Sequence, residues 1–280
     1  MISIITAIYN QLDMNKLYWE YLNKYTDHPF ELIIIDNNSD DGSREFFQSL
    51  GEKVKVIANR ENYSYPYCQN QGIAIAKYDI LAFFNNDMLV SPHWDSRALQ
   101  VLGKDNRDVI SLGSNDRLYD QKTSKSLQRR WKHIKYPCIM LFGQKMFGLK
   151  LMQRMCYGNW EKFCEKNYKR YGASFTVGFS GASILMNRKA IEKIGLWDES
   201  QQFADFDLFF RSCQRAETVG DLQPLAVVNG IFTHHYRRLT LYSNCPPFAD
   251  AARLIPLEKK WPPTDYNRWM ALINFQKSSL

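Results

Sequence analysis

Polar side chains that could bind a ligand follow three apolar stretches in the first third of this sequence. They are YN at 9–10, DNN at 36–38 and NND at 85–87. Short apolar stretches of this kind predict buried strands. When such strands are parallel, their carboxyl ends meet at one edge of the sheet, where doubly wound folds bind ligands. The sequence therefore predicts a binding site at that edge.

The elements that position these residues follow from the alternation of strand-like and helix-like stretches. Strands are predicted at 2–9, 30–36, 53–59, 78–87 and 108–114, with helical periodicity between them. This alternation favours right-handed crossovers and a parallel, doubly wound sheet of the α/β class. Further along, the sequence predicts a strand at 175–188, a helix at 205–215 and a strand at 225–236.

Composition and absent motifs exclude several classes of protein. Hydrophobic residues make up 45% of the chain and charged residues 23%, which favours a compact fold over disorder. No uncharged apolar run approaches the roughly 20 residues that cross a bilayer. The motifs GxGxxG, GxxxxGK[ST], HExxH and GxSxG are absent, so dinucleotide oxidoreductases, P-loop NTPases, zincins and serine hydrolases lose their main support. Six scattered cysteines without a CxxC pair predict buried free thiols.

Six segments occur in an order that resembles the family-two glycosyltransferases with the GT-A fold. They are TAIYN at 6–10, IIIDNNSDDGS at 33–43, NQGIAIAKYDILAFFNNDMLVSP at 70–92, SGASILMNRKAIEKIGLWDES at 180–200, FADFDLFFR at 203–211 and THH at 233–235. Within that family the chain looks most like rhamnosyltransferase-like enzymes of bacterial capsule and cell-wall synthesis. The resemblance covers about 1–116 and 173–240. It implies a Rossmann-like, mostly parallel sheet with a small antiparallel second sheet.

The resemblance implies a donor site for a nucleoside diphosphate sugar whose nucleotide is UDP, GDP or dTDP. In the family, the end of the first strand and the Asp that closes the second hold the base and ribose, and small residues lie beneath the sugar. For Asp36, capping of the following turn is the alternative. The positions that match the donor motifs are Thr6, Ala7, Tyr9, Asp36, Asn70, Asn85, Asn86, Gly181 and Ala182.

The resemblance also implies a divalent cation, Mn²⁺ or Mg²⁺, which would bridge two phosphates. The segment 85–87 matches the family's metal motif, with Asp87 as the expected ligand and Asn85 in place of the Asp of many members. A polar turn is the alternative for this segment. The family often has a histidine near the end of the last strand as third ligand or diphosphate donor. Neighbouring side chains on a strand point to opposite faces, so only one of His234 and His235 can face the site, and we prefer His234.

The predicted catalytic carboxylate is Asp205, which matches the general base of inverting members at the start of a helix. Ala204 precedes it where the family usually has Glu. Asp207 is the alternative base, and capping of the helix is the structural interpretation of both carboxylates. The segment Trp197, Asp198 and Glu199 resembles the family's acceptor-side loop.

The basic charge of the chain is concentrated in one segment. Residues 117–172 contain 14 Lys or Arg and three acids, so this segment carries +11 while the whole chain carries +7. Two interpretations stay open: peripheral contact of 129–170 with a membrane or a lipid-linked acceptor, and a solvated helical insertion. Nucleic-acid binding is disfavoured because no RNA- or DNA-binding module accompanies the charge.

Together these patterns predict a glycosyltransferase that moves one sugar from a nucleoside diphosphate sugar to a hydroxyl of a glycan or lipid-linked acceptor. We expect inversion by a metal-assisted single displacement. The alternatives are a catalytically impaired nucleotide-sugar-binding protein and a sugar-phosphate nucleotidyltransferase, although TAIYNQLDMN lacks the glycine-rich, basic loop of the latter.

The predicted organisation has four parts. They are a nucleotide-sugar-binding half at 1–116, a basic helical insertion at 117–172, a catalytic and acceptor half at 173–240, and a helical tail at 241–280. The start, MISIITAIYN, lacks a basic leader and a cleavage site. We therefore expect a cytoplasmic chain, and peripheral contact at the inner face of the membrane is one of the two open interpretations of the basic segment.

Overall fold

The computed structural model describes residues 1–116, 121–237 and 245–275. The strands are β1 Ile2–Ile8, β2 Phe30–Asp36, β3 Val54–Ala58, β4 Ile80–Phe84, β5 Met88–Leu89, β6 Val109–Ser114, β7 Phe175–Val177, β8 Ser183–Asn187 and β9 Ala226–His235. The helices are α1 Leu12–Tyr25, α2 Ser43–Gln48, α3 Tyr65–Ile75, α4 Trp94–Leu99, α5 Gln121–Phe142, α6 Met146–Tyr157, α7 Trp160–Tyr171, α8 Arg188–Ile194, α9 Ala204–Thr218, α10 Leu257–Lys260 and α11 Pro263–Phe275.

The sheet combines a parallel half with a mixed half. Its order is β3-β2-β1-β4-β8-β6-β9-β5, and the first four strands are parallel. Strand β8 lies antiparallel between β4 and β6, so β6 runs in the same direction as β4, and the five strands predicted first, which are β1–β4 and β6, are all parallel as expected. The predicted strand at 175–188 is wrong as one element, because the chain turns at 178–182 between β7 and β8. Strand β5 pairs antiparallel with the end of β9 as a small second sheet.

The core lies on both faces of this sheet, as the alternation of apolar residues along β1 requires. Ile4 packs with α1 and α6 on one face, while Ile5 packs with α3 and α9 on the other. Side chains two apart share a face of a strand, so each central strand contributes to both layers. Five of the six cysteines are buried free thiols, and Cys245 is exposed.

Strand β9 contains an irregularity that changes which way its last residues point. Leu112 of β6 pairs with Val228, but Gly113 pairs with Phe232, so β9 has three additional residues at this point. The Asn167 amide of α7 donates to the carbonyl oxygens of Asn229 and Gly230. Because an odd number of inserted residues reverses the alternation of side chains, the bulge decides which residue of the strand end faces the ligand side of the sheet.

Helices α5, α6 and α7 occupy the basic segment between β6 and β7. They cover one face of the sheet, where Leu149 and Met152 of α6 join the core next to α1. In the described part of the chain, no helix combines the length and the apolar character that a transmembrane span requires.

The C-terminal segment is held to the core through one buried carboxylate. Asp207 in α9 is fully buried and accepts from the Arg211 guanidinium and the Trp261 indole, and the Lys260 ammonium lies 2.6 Å away. A buried charge of this kind is stable only while its partners remain in place. Asp207 therefore joins α9 to α10 and the residues that follow it.

We predict that Asp207→Ala lowers the free energy of unfolding by about 3–5 kcal/mol, because Arg211 and Lys260 lose the charge that compensates them. Urea unfolding followed by circular dichroism measures this change. The control is Asp265→Ala, whose carboxylate pairs with Arg268 at the surface and whose loss we expect to cost at most about 1 kcal/mol. Equal effects of the two substitutions would contradict this assignment.

Candidate active site

A cleft of about 450 Å³ opens at the carboxyl edge of the sheet. It lies where the ends of β4, β6 and β9 meet the turn before β8 and the first turn of α9. This is the edge at which the polar strand ends predicted a ligand site. The residues that line it are Tyr65, Asn85, Asp116, Phe179, Ser180, Gly181, Ala182, Gln202, Ala204, Asp205, Phe206 and His235.

Three of the predicted donor residues form one wall of this cleft. The backbone N–H of Asn85 donates to the carbonyl oxygen of Ala182 at 3.0 Å, which joins the end of β4 to the turn before β8. Gly181 lies directly against the carboxylate of Asp205, and a Cβ atom at this position would collide with it. The glycine therefore leaves room for the carboxylate of Asp205 in its observed position.

Asp205 is the predicted base, and the structure places it in the cleft, half-buried in the first turn of α9. Burial raises the pKa of its carboxyl to about 6, although the backbone N–H of Phe206 donates to it and opposes the shift. Within residues 1–116, 121–237 and 245–275, no Lys, Arg or His forms an ion pair with this carboxylate. A carboxylate with a pKa near neutrality can accept a proton from a bound substrate.

Asp207, the alternative base, has a different environment. It faces the core and is held by Arg211, Lys260 and Trp261, so it does not line the cleft. Of the two carboxylates in the first turn of α9, only Asp205 is accessible from the cleft.

His235 connects three strand ends on the other side of the cleft. Its Nε2 lies 3.2 Å from the carboxylate of Asp87, and its Nδ1 is hydrogen-bonded to Asp116. Burial alone would lower the pKa of His235, but the charge of Asp87 and the hydrogen bonds to Asp116 and Asp87 raise it to about 10. His235 is therefore a cation between two carboxylates, and it brings the predicted metal residue Asp87 to the cleft.

His234 points to the opposite face of β9, so our preference for it as the cleft-facing histidine is wrong. It is fully buried, its Nδ1 is hydrogen-bonded to Tyr157, and its ring lies against Trp131 at 4.6 Å. Burial is the main reason that its pKa falls to about 3. Leu89 pairs with His234 and Met88 with His235, which places the two histidines on alternate faces of this short sheet.

The donor atoms around Asp87 and His235 fit a divalent cation only in part. A carboxylate oxygen and an imidazole nitrogen suit Mn²⁺, and Mg²⁺ is commonly held by one or two carboxylates together with substrate phosphates. Within the described residues, no group of three or more His, Cys, Asp or Glu is arranged to hold a metal ion. Asp87 and His235 would supply two ligands, with Nε2 of His235 releasing its proton when a metal ion binds, and the hydrogen bond to Asp116 would orient the imidazole.

The residues expected to hold the base and ribose lie at the same sheet edge but do not line the cleft. Asp36 is buried, accepts from the backbone N–H of Ser39 and forms an ion pair with Arg44. Its carboxylate thus has the turn-capping contact that was the alternative. The hydroxyl of Thr6 is hydrogen-bonded to that of Tyr18. Ala7 and Tyr9 are half-buried nearby.

Two further predicted donor residues have structural contacts. The amide of Asn86 donates to Asn15, in a buried network between the end of β4 and α1. The side chain of Asn70 in α3 accepts from the backbone N–H of Trp197 and donates to its carbonyl oxygen. Neither side chain lines the cleft.

The predicted acceptor segment 197–199 is likewise held away from the cleft. Trp197 is buried against Tyr65 and Phe83. Asp198 is buried in part, but hydrogen bonds from Lys260 and Ser200 lower its pKa to about 2. The amide of Asn70 also donates to the carboxylate of Glu199. Through these contacts the segment packs between α3, α9 and the C-terminal segment.

Several cleft residues were missed by the sequence analysis. Asp116 had a recognisable signal, because SND at 114–116 follows an apolar strand as the other polar strand ends do. Burial would raise the pKa of Asp116, but the hydrogen bond and charge of His235 lower it. Ser180 and Phe206 lie within the family segments 180–200 and 203–211 but have no assigned role there. Tyr65, Phe179 and Gln202 lie outside the six segments and had no such signal.

Comparison with curated proteins finds glycosyltransferases that match part of the chain. The uncharacterized glycosyltransferase YfnE of Bacillus subtilis is 34% identical over 94 residues, which are 32% of this chain and 24% of YfnE. The chondroitin synthase of Pasteurella multocida is 28% identical over 95 residues, which are 33% of this chain and 10% of that protein. The putative glycosyltransferase EpsH of B. subtilis is 28% identical over 112 residues, 39% of this chain and 32% of EpsH. The matches thus span at most about a third of these relatives.

Comparison with solved structures finds the same fold in glycosyltransferases of low identity. GalNAc-T7, solved with UDP, GalNAc and Mn²⁺, aligns with a TM-score of 0.54 and 13% identity over 84% of this chain and 43% of that chain. The mannosyltransferase PcManGT of Pyrobaculum calidifontis, solved with GDP-Man and Mn²⁺, aligns with a TM-score of 0.50 and 13% identity over 81% of this chain and 56% of that chain. These likenesses confirm the predicted α/β, GT-A fold.

The family model described as "Glycosyl transferase family 2" matches residues 3–195, which include the parallel strands, the turn at Gly181 and the segment around Asp87. This match covers more than half of the chain, and the fold agrees with it. The chain therefore belongs to glycosyltransferase family 2.

Proposed function

We propose that this chain transfers one sugar from a nucleoside diphosphate sugar to an acceptor hydroxyl with inversion, and that Asp205 is the general base. The observation that carries the proposal is the environment of Asp205. Asp36, Asp87, Asp116, Asp198 and Asp207 each have a cationic partner, whereas Asp205 faces the cleft without one among the described residues. Membership in glycosyltransferase family 2 indicates transfer of a sugar as the reaction class. The carboxylate of Asp205 is a group that could act as the base in such a transfer.

The proposed reaction is a single displacement at the anomeric carbon of the donor sugar. The acceptor oxygen attacks the anomeric carbon from the side opposite the diphosphate while Asp205 takes the proton of that hydroxyl. The bond from the anomeric carbon to the diphosphate oxygen breaks, and the nucleoside diphosphate leaves with the bonding electrons. Attack from the opposite side inverts the anomeric configuration. The raised pKa of Asp205 suits this step, because a base works best when its pKa lies near the working pH.

The donor is proposed to lie with its diphosphate near Asp87 and His235 and its sugar over Gly181 and Ala182. Mn²⁺ or Mg²⁺ bound there would neutralise charge on the leaving diphosphate. Asp87 and His235 would hold the ion, and Asp116 would keep the imidazole oriented. UDP, GDP and dTDP all remain candidates for the nucleotide. The two structural neighbours, with GDP-Man and with UDP and GalNAc, were both solved with Mn²⁺.

The acceptor is proposed to be a glycan or a lipid-linked sugar in bacterial polysaccharide synthesis. Aromatic rings border the cleft beside the base, since Phe179 and Phe206 pack edge to face at 4.9 Å and both line it. Apolar faces of sugar rings pack well on aromatic side chains. The cytoplasmic location expected from the sequence remains part of this proposal.

Asp205→Asn is predicted to reduce transfer by about a hundredfold to ten-thousandfold, because the amide cannot accept the proton. Nucleoside diphosphate affinity should change by no more than a few fold. The measurement is release of nucleoside diphosphate from a panel of UDP, GDP and dTDP sugars, with calorimetric titration for binding. Glu192→Gln, which alters an exposed carboxylate on α8 outside the cleft, is the matched control and should retain activity. Undiminished transfer in Asp205→Asn would remove Asp205 from the mechanism and require another base. The absence of transfer by the parent protein with every donor of the panel would instead favour a nucleotide-sugar-binding protein.

The pH dependence of transfer provides a second test. Because burial raises the pKa of Asp205 to about 6, the base is ionised above that pH and protonated below it. We expect kcat/KM to rise about tenfold per pH unit below pH 6 and to level off above it. Donor affinity measured at each pH separates this effect from donor binding. A flat profile between pH 5 and pH 8 would be inconsistent with Asp205 as the base.

His235→Ala is predicted to weaken the Mn²⁺-dependent part of nucleoside diphosphate affinity at least about tenfold, because one of two protein ligands is lost. Calorimetric titration with and without Mn²⁺, and after addition of a chelator, measures it. His133→Ala on the exposed face of α5 is the matched control and should bind as the parent does. The same metal dependence in His235→Ala and the parent protein would exclude His235 as a ligand.

A further inference from the structure

The turn between α5 and α6 exposes a cluster of large apolar side chains. Met140, Leu141 and Phe147 are 88%, 72% and 64% exposed, and Phe142 is 40% exposed. We call residues 140–147 the apolar tip. Single exposed hydrophobic residues are normal, but a contiguous group at one end of a helical hairpin marks an interaction surface.

The apolar tip is an ordered part of the hairpin. The rings of Phe142 and Phe147 pack edge to face at 5.2 Å across the turn. Gly143 has a φ of +62°, which favours glycine. A Cβ atom on Gly148 would lie 3.1 Å from Phe142 Cβ and from the carbonyl oxygen of Gly143, so α6 starts close against the end of α5. The packing holds the apolar side chains outward rather than letting them fold back.

The surface next to the apolar tip is strongly basic. Residues 121–160 contain nine Lys or Arg and no Asp or Glu. Along α5 the spacing i, i+4, i+7 places exposed basic side chains on one stripe, which continues into the apolar tip. This basic stripe consists of Lys125, Arg129 and Lys132, and the same face continues with Tyr136 and Met140.

The opposite face of α5 is fixed to the rest of the chain. Trp131 is buried against His234 and Tyr236, and the Lys135 ammonium donates to the carbonyl oxygen of Arg237 at 2.7 Å. Cys138 is also buried in the core. The basic stripe and the apolar tip are therefore presented outward on a helix whose inner face is occupied.

We propose that the basic stripe and the apolar tip dock onto an anionic lipid bilayer. Met140, Leu141 and Phe147 enter the boundary between headgroups and acyl chains, and Lys125, Arg129 and Lys132 contact lipid phosphates. An interfacial helix with basic residues on one part of its exposed face and large apolar residues beside them is typical of this mode of binding. The proposal does not rest on sugar transfer, because membrane binding is measured without substrate.

The charge pattern favours an anionic bilayer as the partner over a second copy of this chain and over a nucleic acid. Two copies of this surface facing each other would bring like charges together, which opposes a symmetric dimer. A nucleic acid would attract the basic stripe but would leave the apolar tip in water. An anionic bilayer is the partner of these three that provides both negative charge and an apolar phase.

The test is co-sedimentation of the full chain with vesicles of phosphatidylcholine alone and of phosphatidylcholine mixed with phosphatidylglycerol. We expect binding to the anionic vesicles, with a loss as the salt is raised from about 0.1 M to about 1 M. Replacement of Lys125, Arg129 and Lys132 by Gln should reduce affinity about fivefold per cation. Met140→Gln, Leu141→Gln and Phe147→Gln together should reduce it at least about tenfold.

Matched controls alter exposed residues elsewhere. They are Lys104→Gln, Lys189→Gln and Lys259→Gln for charge, and Leu196→Gln, Val219→Gln and Leu272→Gln for apolar surface. Both control sets should bind vesicles as the parent does. Phe147→Trp gives an independent readout, since its fluorescence should shift to the blue when anionic vesicles are added.

Three results would overturn the proposal. The first is an absence of sedimentation with anionic vesicles by the parent protein. The second is equal vesicle binding by the parent and the apolar-tip variant with no fluorescence shift in Phe147→Trp. The third is sedimentation velocity that shows a dimer for the parent and a monomer for the apolar-tip variant in the absence of lipid, because the tip would then be an interface between copies. Failure of sugar transfer in any of these proteins leaves the vesicle result unaffected.

Discussion

The contacts of His235 with two carboxylates hold together the part of the structure on which the cleft depends. Asp87 follows β4, Asp116 follows β6, and His235 ends β9, so one imidazole joins three separate strand ends. Burial of the Asp87 and Asp116 carboxylates would cost free energy without a cation beside them. Burial of a charged His235 would likewise cost free energy without the two carboxylates. The three residues are therefore stable only as a group. Their mutual attraction brings the small second sheet against the end of the main sheet.

The opposite wall of the cleft is built on a different electrostatic principle. Asp205 is compensated by no cation among the described residues, and it lies beside a backbone turn and aromatic rings. Its charge is thus stabilised poorly, and its proton affinity is high for an aspartate. One wall of the cleft therefore carries the mutually compensating charges of Asp87, Asp116 and His235. The other wall carries the carboxylate of Asp205, which has little compensation. In the proposed reaction, the first wall would hold the metal-bound diphosphate and the second would face the acceptor hydroxyl.

Much of this architecture could be predicted from the sequence, because it follows from local patterns. Buried strands are apolar, the polar residues after them lie at one edge, and Asp205 occurs at a helix start in a recognisable motif. The orientation of β8 could not be predicted in this way, since an apolar stretch carries no information about strand direction. The ion pair of Asp36 with Arg44 could not be predicted either, because it depends on how α2 packs against the end of β2.

The sequence contains no signal that decides which of His234 and His235 faces the cleft. Alternation along a strand can be counted only while the strand is regular, and three additional residues in β9 reverse it. Gly230 permits this irregularity, because a Cβ there would collide with the backbone of Gly172. A glycine inside a strand indicates such a bulge, but it does not indicate how many residues the bulge contains.

Helix α5 extends from the back of the histidine strand to the apolar tip. Trp131 lies against His234 and Leu141 is ten residues further along, which corresponds to roughly 15 Å of helix at 1.5 Å per residue. Because the proposed contact of Lys125, Arg129 and Lys132 with lipid phosphates would lay α5 along the bilayer, this length would be a lateral distance between the inserted tip and the histidine strand. A protein anchored in this way would keep that strand about one helix diameter, roughly 10 Å, from the headgroups, within reach of acceptors held in the same bilayer.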